Sequence, residues 1–106
     1  MELSLIQQIE ADDSKDYFPE HEDDPFFLAL ALVGEVGEIC NNIKKHMRGD
    51  FDLTELRTRV APELPDVLIY LVMLSDNLGR DLEEEYHRKK EFNERRYRPG
   101  LPPAPE

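Results

Sequence analysis

Apolar residues recur at helical spacing along most of this chain, and polar turns separate the stretches. Residues Met1 to Lys15 carry such a pattern and predict a short helix, whereas the acidic stretch Asp16 to Asp24 predicts a loop. Asp24 followed by Pro25 is typical of a helix start, because aspartate caps free N–H groups and proline fits the first turn. We therefore expect a second helix from Pro25 to about Met47.

Two further capping signals divide the second half of the chain. Asp52-Leu-Thr-Glu55 predicts the start of a third helical segment, which a kink or restart near Pro62 interrupts. This segment should continue to about Leu78, where a glycine follows. Asp81 predicts the start of a last helix that reaches about Tyr97.

These elements predict an all-α fold, a helical bundle of four main helices. Residues 1–97 would form one domain, and residues 98–106 a proline-rich tail. The second helix is apolar on both sides: Leu28 lies on the stripe that leads to Glu35, and Phe26 and Leu30 lie on the other side. A helix of this kind must be covered all round. Because one short chain can hardly do so, we expect oligomerisation to complete the bundle, as a homodimer or a homotetramer.

Two pairs of acids lie at i, i+3 spacing within these apolar helices. The pairs are Glu35 with Glu38 and Glu63 with Asp66, and each pair falls on one helix face. Carboxylates on inward stripes repel one another unless their pKa values rise or a cation lies among them. A hard divalent ion suits such oxygen ligands, and Mg²⁺ is the ion that we predict. The alternative is a pair of solvated acidic faces, which single i, i+3 acid pairs usually are.

Net charge limits the classes of binding partner, and cysteine content indicates the compartment. The net charge of −11, from 13 basic and 24 acidic side chains, argues against binding of nucleic acid polymers or anionic membranes. The apolar runs are too short to predict a membrane span, and the N-terminal residues do not predict a signal peptide. The single Cys40 fits a reducing compartment. We therefore expect a cytoplasmic protein.

Several further side chains are candidates for contacts with a substrate. The face of the last helix becomes basic and polar towards its end, which suits phosphate oxygens but also a solvated helix terminus. One tyrosine follows Asp66 by a turn and could stack on a base or fill the core. Aromatic residues in the acidic loop could cover a ring or anchor the loop. These candidates are Lys89, Asn93, Arg96, Tyr70, Tyr17, Phe18 and His21.

At these residues the chain resembles the MazG-type all-α NTP pyrophosphatases. The resemblance covers about residues 16–97 and rests on Glu35-Val-Gly-Glu38, on Glu63-Leu-Pro-Asp66, and on Lys89 with Asn93. Three segments are similar to the dCTP pyrophosphatase branch. They are Ala-Leu-Val-Gly-Glu-Val-Gly-Glu, Asp-Val-Leu-Ile-Tyr-Leu-Val, and Asn-Glu-Arg-Arg-Tyr, which ends at Tyr97.

The resemblance implies a function and assigns roles to the candidate residues. It implies Mg²⁺-dependent hydrolysis of a nucleoside triphosphate to the monophosphate and diphosphate, which would suit nucleotide-pool cleaning. The four acids would hold Mg²⁺, and Glu35 or Glu38 would activate the attacking water. It places Tyr70 beside the nucleoside, and Lys89, Asn93, Arg96 and Tyr97 near phosphates or sugar. Two alternatives stay open: a related enzyme, such as one similar to phosphoribosyl-ATP pyrophosphatase, and a non-catalytic helical oligomer that binds a structural ion.

Overall fold

The computed structural model describes residues 2–17, 19–20, 24–102 and 105, and within these ranges it contains five α-helices and no strand. In chain order they are α1 (Leu3–Tyr17), α2 (Pro25–Met47), α3 (Leu53–Val60), α4 (Glu63–Asn77) and α5 (Leu82–Tyr97). The all-α prediction is confirmed. Four long helices form the main body, and α3 is the short segment that the restart near Pro62 separates from α4.

The predicted capping residues set the helix starts. The Asp24 carboxylate accepts hydrogen bonds from the Phe26 and Phe27 N–H groups at 3.0 and 3.1 Å, with Pro25 in the first turn. Asp52 and Asp81 cap α3 and α5 in the same way. These contacts satisfy N–H groups that lack a partner within their own helix. Glycines with positive φ follow α2 and α4, at Gly49 (φ 91°) and Gly79 (φ 71°), as the sequence predicts.

The prediction of a loop over residues 16–24 is wrong at its start. The helix α1 continues through Asp16 and Tyr17. Acidic composition does not itself end a helix, whereas Pro19, two residues later, lacks the backbone N–H that a helix interior needs. Tyr17 is therefore held at the end of a helix. Phe18 and His21, from the same predicted loop, lie outside the described residues.

The helix α4 is the centre of the packing. It lies against α2 on one side and α1 on the other, while α3 packs on α2 and α4, and α5 packs on α1 and α4. The buried apolar side chains in the described ranges are Leu28 from α2 and Val72 and Met73 from α4. The prediction that Leu28 lies on the inner stripe of α2 is confirmed. The interface between α2 and α4 thus holds the apolar core of the chain.

One chain leaves much of its apolar surface uncovered. Its radius of gyration is 17.2 Å, whereas a compact domain of this length has about 13 Å. Its accessible surface is 7931 Å², against roughly 6,100 Å² for a compact protein of this mass. The outer stripe of α2 is prominent in this surface, with Phe26, Leu30 and Val33 exposed by 79%, 73% and 66%. This shape supports the expectation that another chain covers α2, which stays a prediction.

On length and composition alone, α2 could cross a membrane, with a mean hydropathy of 1.4 over its most apolar window; it is the only such helix in the described ranges. Glu35 and Glu38 lie in its middle. A carboxylate near the centre of a bilayer is costly unless it has a partner inside protein. A second protein chain would cover the apolar stripe without placing these acids in lipid, so we retain the expectation of an oligomer.

We predict that substitution of the outer stripe of α2 separates the chains. Light scattering at micromolar concentration should give a mass of at least two chains for the wild type and one chain for Leu30→Glu, because the charge would be buried at the contact. Leu53→Glu is the matched control, since Leu53 is an exposed leucine (47%) in the first turn of α3. A compact wild-type monomer would contradict the prediction.

Candidate functional site

Three carboxylates meet where α4 begins against the middle of α2. Glu35 comes from α2, and Glu63 and Asp66 come from the first turn of α4. One carboxylate oxygen from each lies within 4.8 Å of the other two. The i, i+3 spacing places Glu63 and Asp66 on one face of α4. Their place in the first turn is favourable, because the helix dipole is positive there.

The acids perturb one another strongly. The pKa of Glu35 is raised to about 7. The largest cause is a side-chain hydrogen bond with Glu63; partial burial and the negative charges of Glu63, Asp66 and Glu38 add to it. A hydrogen bond between two carboxyl groups requires a proton on one of them. Near neutral pH and without a cation, this cluster therefore favours retention of a proton.

The donor set fits a hard divalent cation. Three carboxylates from two helices offer only oxygen ligands, which Mg²⁺ and Ca²⁺ prefer, and the mutual repulsion that raises the Glu35 pKa is the repulsion that a cation would relieve. This is the only group of three or more acids, histidines or cysteines with ligand spacing in the part of the chain that the structure describes. Mg²⁺ usually keeps several waters and completes its coordination with substrate phosphates.

A cleft of about 430 Å³ opens beside the acids. Its volume is in the range of small-ligand sites. Two of the three clustered carboxylates reach it, and the rest of the lining combines apolar and aromatic side chains of α4 with residues of α1. The lining residues are Glu10, Asp13, Ser14, Tyr17, Glu35, Asp66, Ile69, Tyr70 and Met73. Carboxylates next to an apolar and aromatic floor of Ile69, Tyr70 and Met73 could receive a cation-bound anionic group together with a flat ring.

The α1 wall of this cleft consists of Glu10, Asp13, Ser14 and Tyr17. Apart from Tyr17, the sequence analysis missed it. The pKa of Glu10 is raised by burial and by the charge of Asp13. Glu10 and Asp13 repeat the i, i+3 spacing of the other acid pairs, and this spacing is the signal that was available. The apolar pattern of α1 predicted a helix but gave no indication of where that helix packs.

Tyr70 and Tyr17 both line the cleft, and their predicted contact with a substrate stays a prediction. The pKa of the Tyr70 hydroxyl is raised by burial, then by the charges of Glu35 and Asp66. The Tyr70 hydroxyl is therefore near enough to Glu35 and Asp66 to be affected by their charges. Tyr17 is 69% exposed and lies at the cleft's edge. The predicted roles of Phe18 and His21 concern residues outside the described ranges.

Glu38 is not brought into the group of three. Its side chain is exposed, although the stripe on α2 predicted that it would face inward with Glu35. Glu38 lies one helical turn beyond Glu35 on α2, and its carboxylate is not among the oxygens that lie within 4.8 Å of one another. The charge of Glu38 still contributes to the raised pKa of Glu35. Its assignment as a metal ligand stays a prediction.

The candidate residues of α5 do not line the cleft. Lys89 lies over the Phe92 ring at 4.9 Å, and Arg96 lies over the Tyr97 ring at 5.0 Å. In the described residues, α5 packs on α1 and α4 but not on α2. No basic side chain lines the cleft in this part of the chain. The predicted phosphate contacts of Lys89, Asn93, Arg96 and Tyr97 therefore require a movement of α5 or the α5 of another copy.

Comparison with known proteins gives one informative relative. Human dCTP pyrophosphatase 1 is 35% identical to this chain over 100 residues, which cover 90% of the chain and 58% of the relative. The chain thus spans little more than half the length of that curated relative. No protein-family model matches the chain, and no solved structure gives a significant match. The similarity supports a relationship to deoxynucleotide pyrophosphatases, while the wider MazG-type resemblance stays a prediction.

The metal-free protein should gain stability when the cluster loses a charge. Because the Glu35 pKa is raised from 4.5 to about 7 in the folded protein, its stabilising contribution is complete below pH 4.5 and is lost as the pH rises through 7. With chelator present, Glu35→Gln should therefore raise the melting temperature at pH 8 and change it little at pH 4. The matched control is Glu91→Gln, an exposed acid on α5. A lower melting temperature for Glu35→Gln at pH 8 would show that the repulsion is unimportant.

Proposed function

We propose that this chain hydrolyses a nucleoside triphosphate, with dCTP-like substrates first among the candidates, to the monophosphate and diphosphate. The observation that carries the proposal is the group of Glu35, Glu63 and Asp66, two of which line the same cleft as Tyr70. The similarity to human dCTP pyrophosphatase 1 supports the same activity. The triphosphate would lie beside Glu35 and Asp66, and the base would lie against the apolar and aromatic floor of the cleft.

Mg²⁺ is the cation that we propose for the three carboxylates. When bound, Mg²⁺ neutralises phosphate charge and holds phosphate oxygens in a fixed orientation. A triphosphate and three carboxylates would otherwise repel each other, since no basic side chain lines the cleft in the described residues. The predicted fourth ligand, Glu38, would have to turn toward the cluster from its exposed position.

The reaction consumes one water molecule. A water oxygen attacks the α-phosphorus, the bond from that phosphorus to the α–β bridging oxygen breaks, and diphosphate leaves. The water must lose a proton, and a carboxylate is the group that can accept it. The sequence analysis named Glu35 or Glu38 for this role. We propose Glu35, because it lines the cleft together with Asp66.

A homo-oligomer is part of this proposal. The apolar outer stripe of α2 needs cover, and α2 carries Glu35, so assembly and the site share a helix. A second copy could also bring the basic residues of its α5 to the triphosphate. No nucleic acid polymer and no membrane is proposed as a partner, in keeping with the net charge of −11.

We predict diphosphate release that requires Mg²⁺ and Asp66. A panel of the deoxynucleoside and nucleoside triphosphates, with phosphoribosyl-ATP added, should give diphosphate and a monophosphate from at least one member. Asp66→Asn keeps the size of the side chain but removes a charge, so turnover should fall by orders of magnitude and the Mg²⁺-induced rise in melting temperature should shrink.

Glu91→Gln should behave as the wild type in both assays. Cleavage of phosphoribosyl-ATP alone would favour the related enzyme. Mg²⁺ stabilisation without diphosphate from any substrate would favour the non-catalytic oligomer. Wild-type turnover in Asp66→Asn would remove this residue from the site.

We predict that Tyr70 supports the base. Tyr70→Ala should raise KM about five- to hundredfold, since stacking is worth ~1–3 kcal/mol per base. The matched control is Tyr86→Ala, because Tyr86 is 56% exposed on α5 and contacts the His87 ring outside the cleft. Steady-state kinetics and thermal melts should be measured together. A lower melting temperature with an unchanged KM would mean that Tyr70 only fills the core.

A further inference from the structure

The helix α1 contacts the rest of the chain partly through buried polar groups. The two residues of α1 that are buried are Gln7 and Ser14, each 7% exposed. Ser14 donates its hydroxyl hydrogen bond to the Ala11 carbonyl within the same helix, at 2.9 Å. Gln7 instead reaches across to the turn between α4 and α5. The position of α1 on the rest of the chain therefore depends on the contacts of Gln7 together with half-buried apolar side chains such as Leu3 and Ile6.

The Gln7 side-chain amide both donates and accepts hydrogen bonds. Its Nε2 donates to the Arg80 carbonyl at 2.7 Å, with a longer contact of 3.5 Å to the Asp76 carboxylate. Its Oε1 accepts from the Leu82 N–H at 2.9 Å. Leu82 is the first residue of α5, and its N–H has no partner within that helix. Gln7 thus completes the cap of α5, for which Asp81 accepts from the next two N–H groups.

The α5 helix in turn caps the N-terminus of α1. The Glu83 carboxylate accepts from the Leu3 and Ser4 N–H groups at 2.9 and 3.3 Å, so it caps the start of α1. The Ser4 hydroxyl donates to Asp81 at 3.0 Å. We call these contacts of Ser4, Gln7, Asp81 and Glu83 the reciprocal clasp. Each helix supplies the acceptors that the other helix needs at its N-terminus.

The clasp and the α1 wall lie on one face of α1. Gln7, Glu10, Ser14 and Tyr17 follow one another at steps of three or four residues. A rotation of α1 at Gln7 therefore moves the wall as well. The acids of the wall, Glu10 and Asp13, share the cleft with Glu35 and Asp66. Like charges push α1 away from the cleft, and the clasp opposes that displacement.

We propose that Gln7 is a positioning residue, which sets the rotation and approach of α1 and thereby the shape of the cleft without touching the substrate. Its kinetic consequence rests on the proposed function. Its structural consequence does not, because the placement of α1 can be measured without a substrate. Measurement of KM and of hydrogen exchange in α1 therefore separates failure of this inference from failure of the proposed function.

The test uses Gln7→Met, which keeps the length of the side chain and removes both hydrogen bonds. KM for the cleaved nucleotide should rise roughly threefold or more, as expected for loss of buried hydrogen bonds, while kcat stays within about twofold. The Mg²⁺ concentration for half-maximal stabilisation should not change, because Gln7 is remote from the acid cluster. Hydrogen exchange of the amides in residues 8–17 should quicken more than exchange in α2.

The matched control is Gln8→Met. Gln8 is the next residue, is exposed, and bonds only to Asp12 of the same helix, at 3.1 Å, in the described contacts. It should match the wild type in KM and in exchange. Glu83→Gln, which weakens the cap on α1 by removing its charge, should change exchange in the same direction as Gln7→Met and serves if that variant does not fold.

Three results would overturn the proposal. The first is wild-type KM and wild-type exchange in Gln7→Met. The second is a lower melting temperature with unchanged KM, which would make Gln7 a structural brace. The third is an equal effect from Gln8→Met. If the wild type cleaves no nucleotide, the proposed function fails, and the exchange comparison of the two glutamine variants still decides whether the clasp holds α1.

Discussion

The repulsion between Glu35, Glu63 and Asp66 is the constraint on which the rest of this structure depends. Their oxygens lie within 4.8 Å of one another, and one proton is favoured among them near neutral pH. Such an arrangement persists only where the helices that carry it are held together by other contacts. The packing of α2 against α4 supplies these contacts, and Leu28 on α2 and Val72 on α4 are both fully buried. The core of this small chain therefore stabilises the geometry of the site directly.

The same constraint links the site to assembly. A helix that presents Leu28 inward and Leu30 outward has two apolar sides, and a single chain covers one of them. If another chain covers the outer side, α2 is fixed from both sides, and Glu35 has less freedom to move away from its repelling neighbours. Rigid support is what a metal site with few protein ligands requires. Assembly and cation binding would then stabilise each other.

Local signals in the sequence were sufficient for the helices and for most of the acid cluster. Asp24 and Asp81 could be recognised as caps, and Gly79 as a stop, because each acts within four residues of its own position. The i, i+3 spacing placed Glu63 and Asp66 on one helix face, because it too acts within four residues. The direction of Glu38 could not be predicted, since it depends on where α2 crosses α4 and not on the stripe alone. The C-terminal end of α1 could not be predicted from acidic composition, because charged residues such as Asp16 do not themselves end a helix.

The docking of α1 could not be predicted, because the hydrogen bonds that hold it join residues far apart in the sequence. Gln7 and its partner Leu82 are 75 residues apart, and an internal glutamine in a helix gives no signal of the bond it makes. The two sides of the cleft therefore differ in how they respond to substitution. Side chains in the core are coupled through close packing, so a substitution at Val72 disturbs the carboxylates that α4 carries. The α1 wall has no buried apolar side chain and is fixed by hydrogen bonds at one end. Substitution of Glu10, Asp13 or Tyr17 should therefore change the shape of the cleft while Glu35, Glu63 and Asp66 keep their geometry.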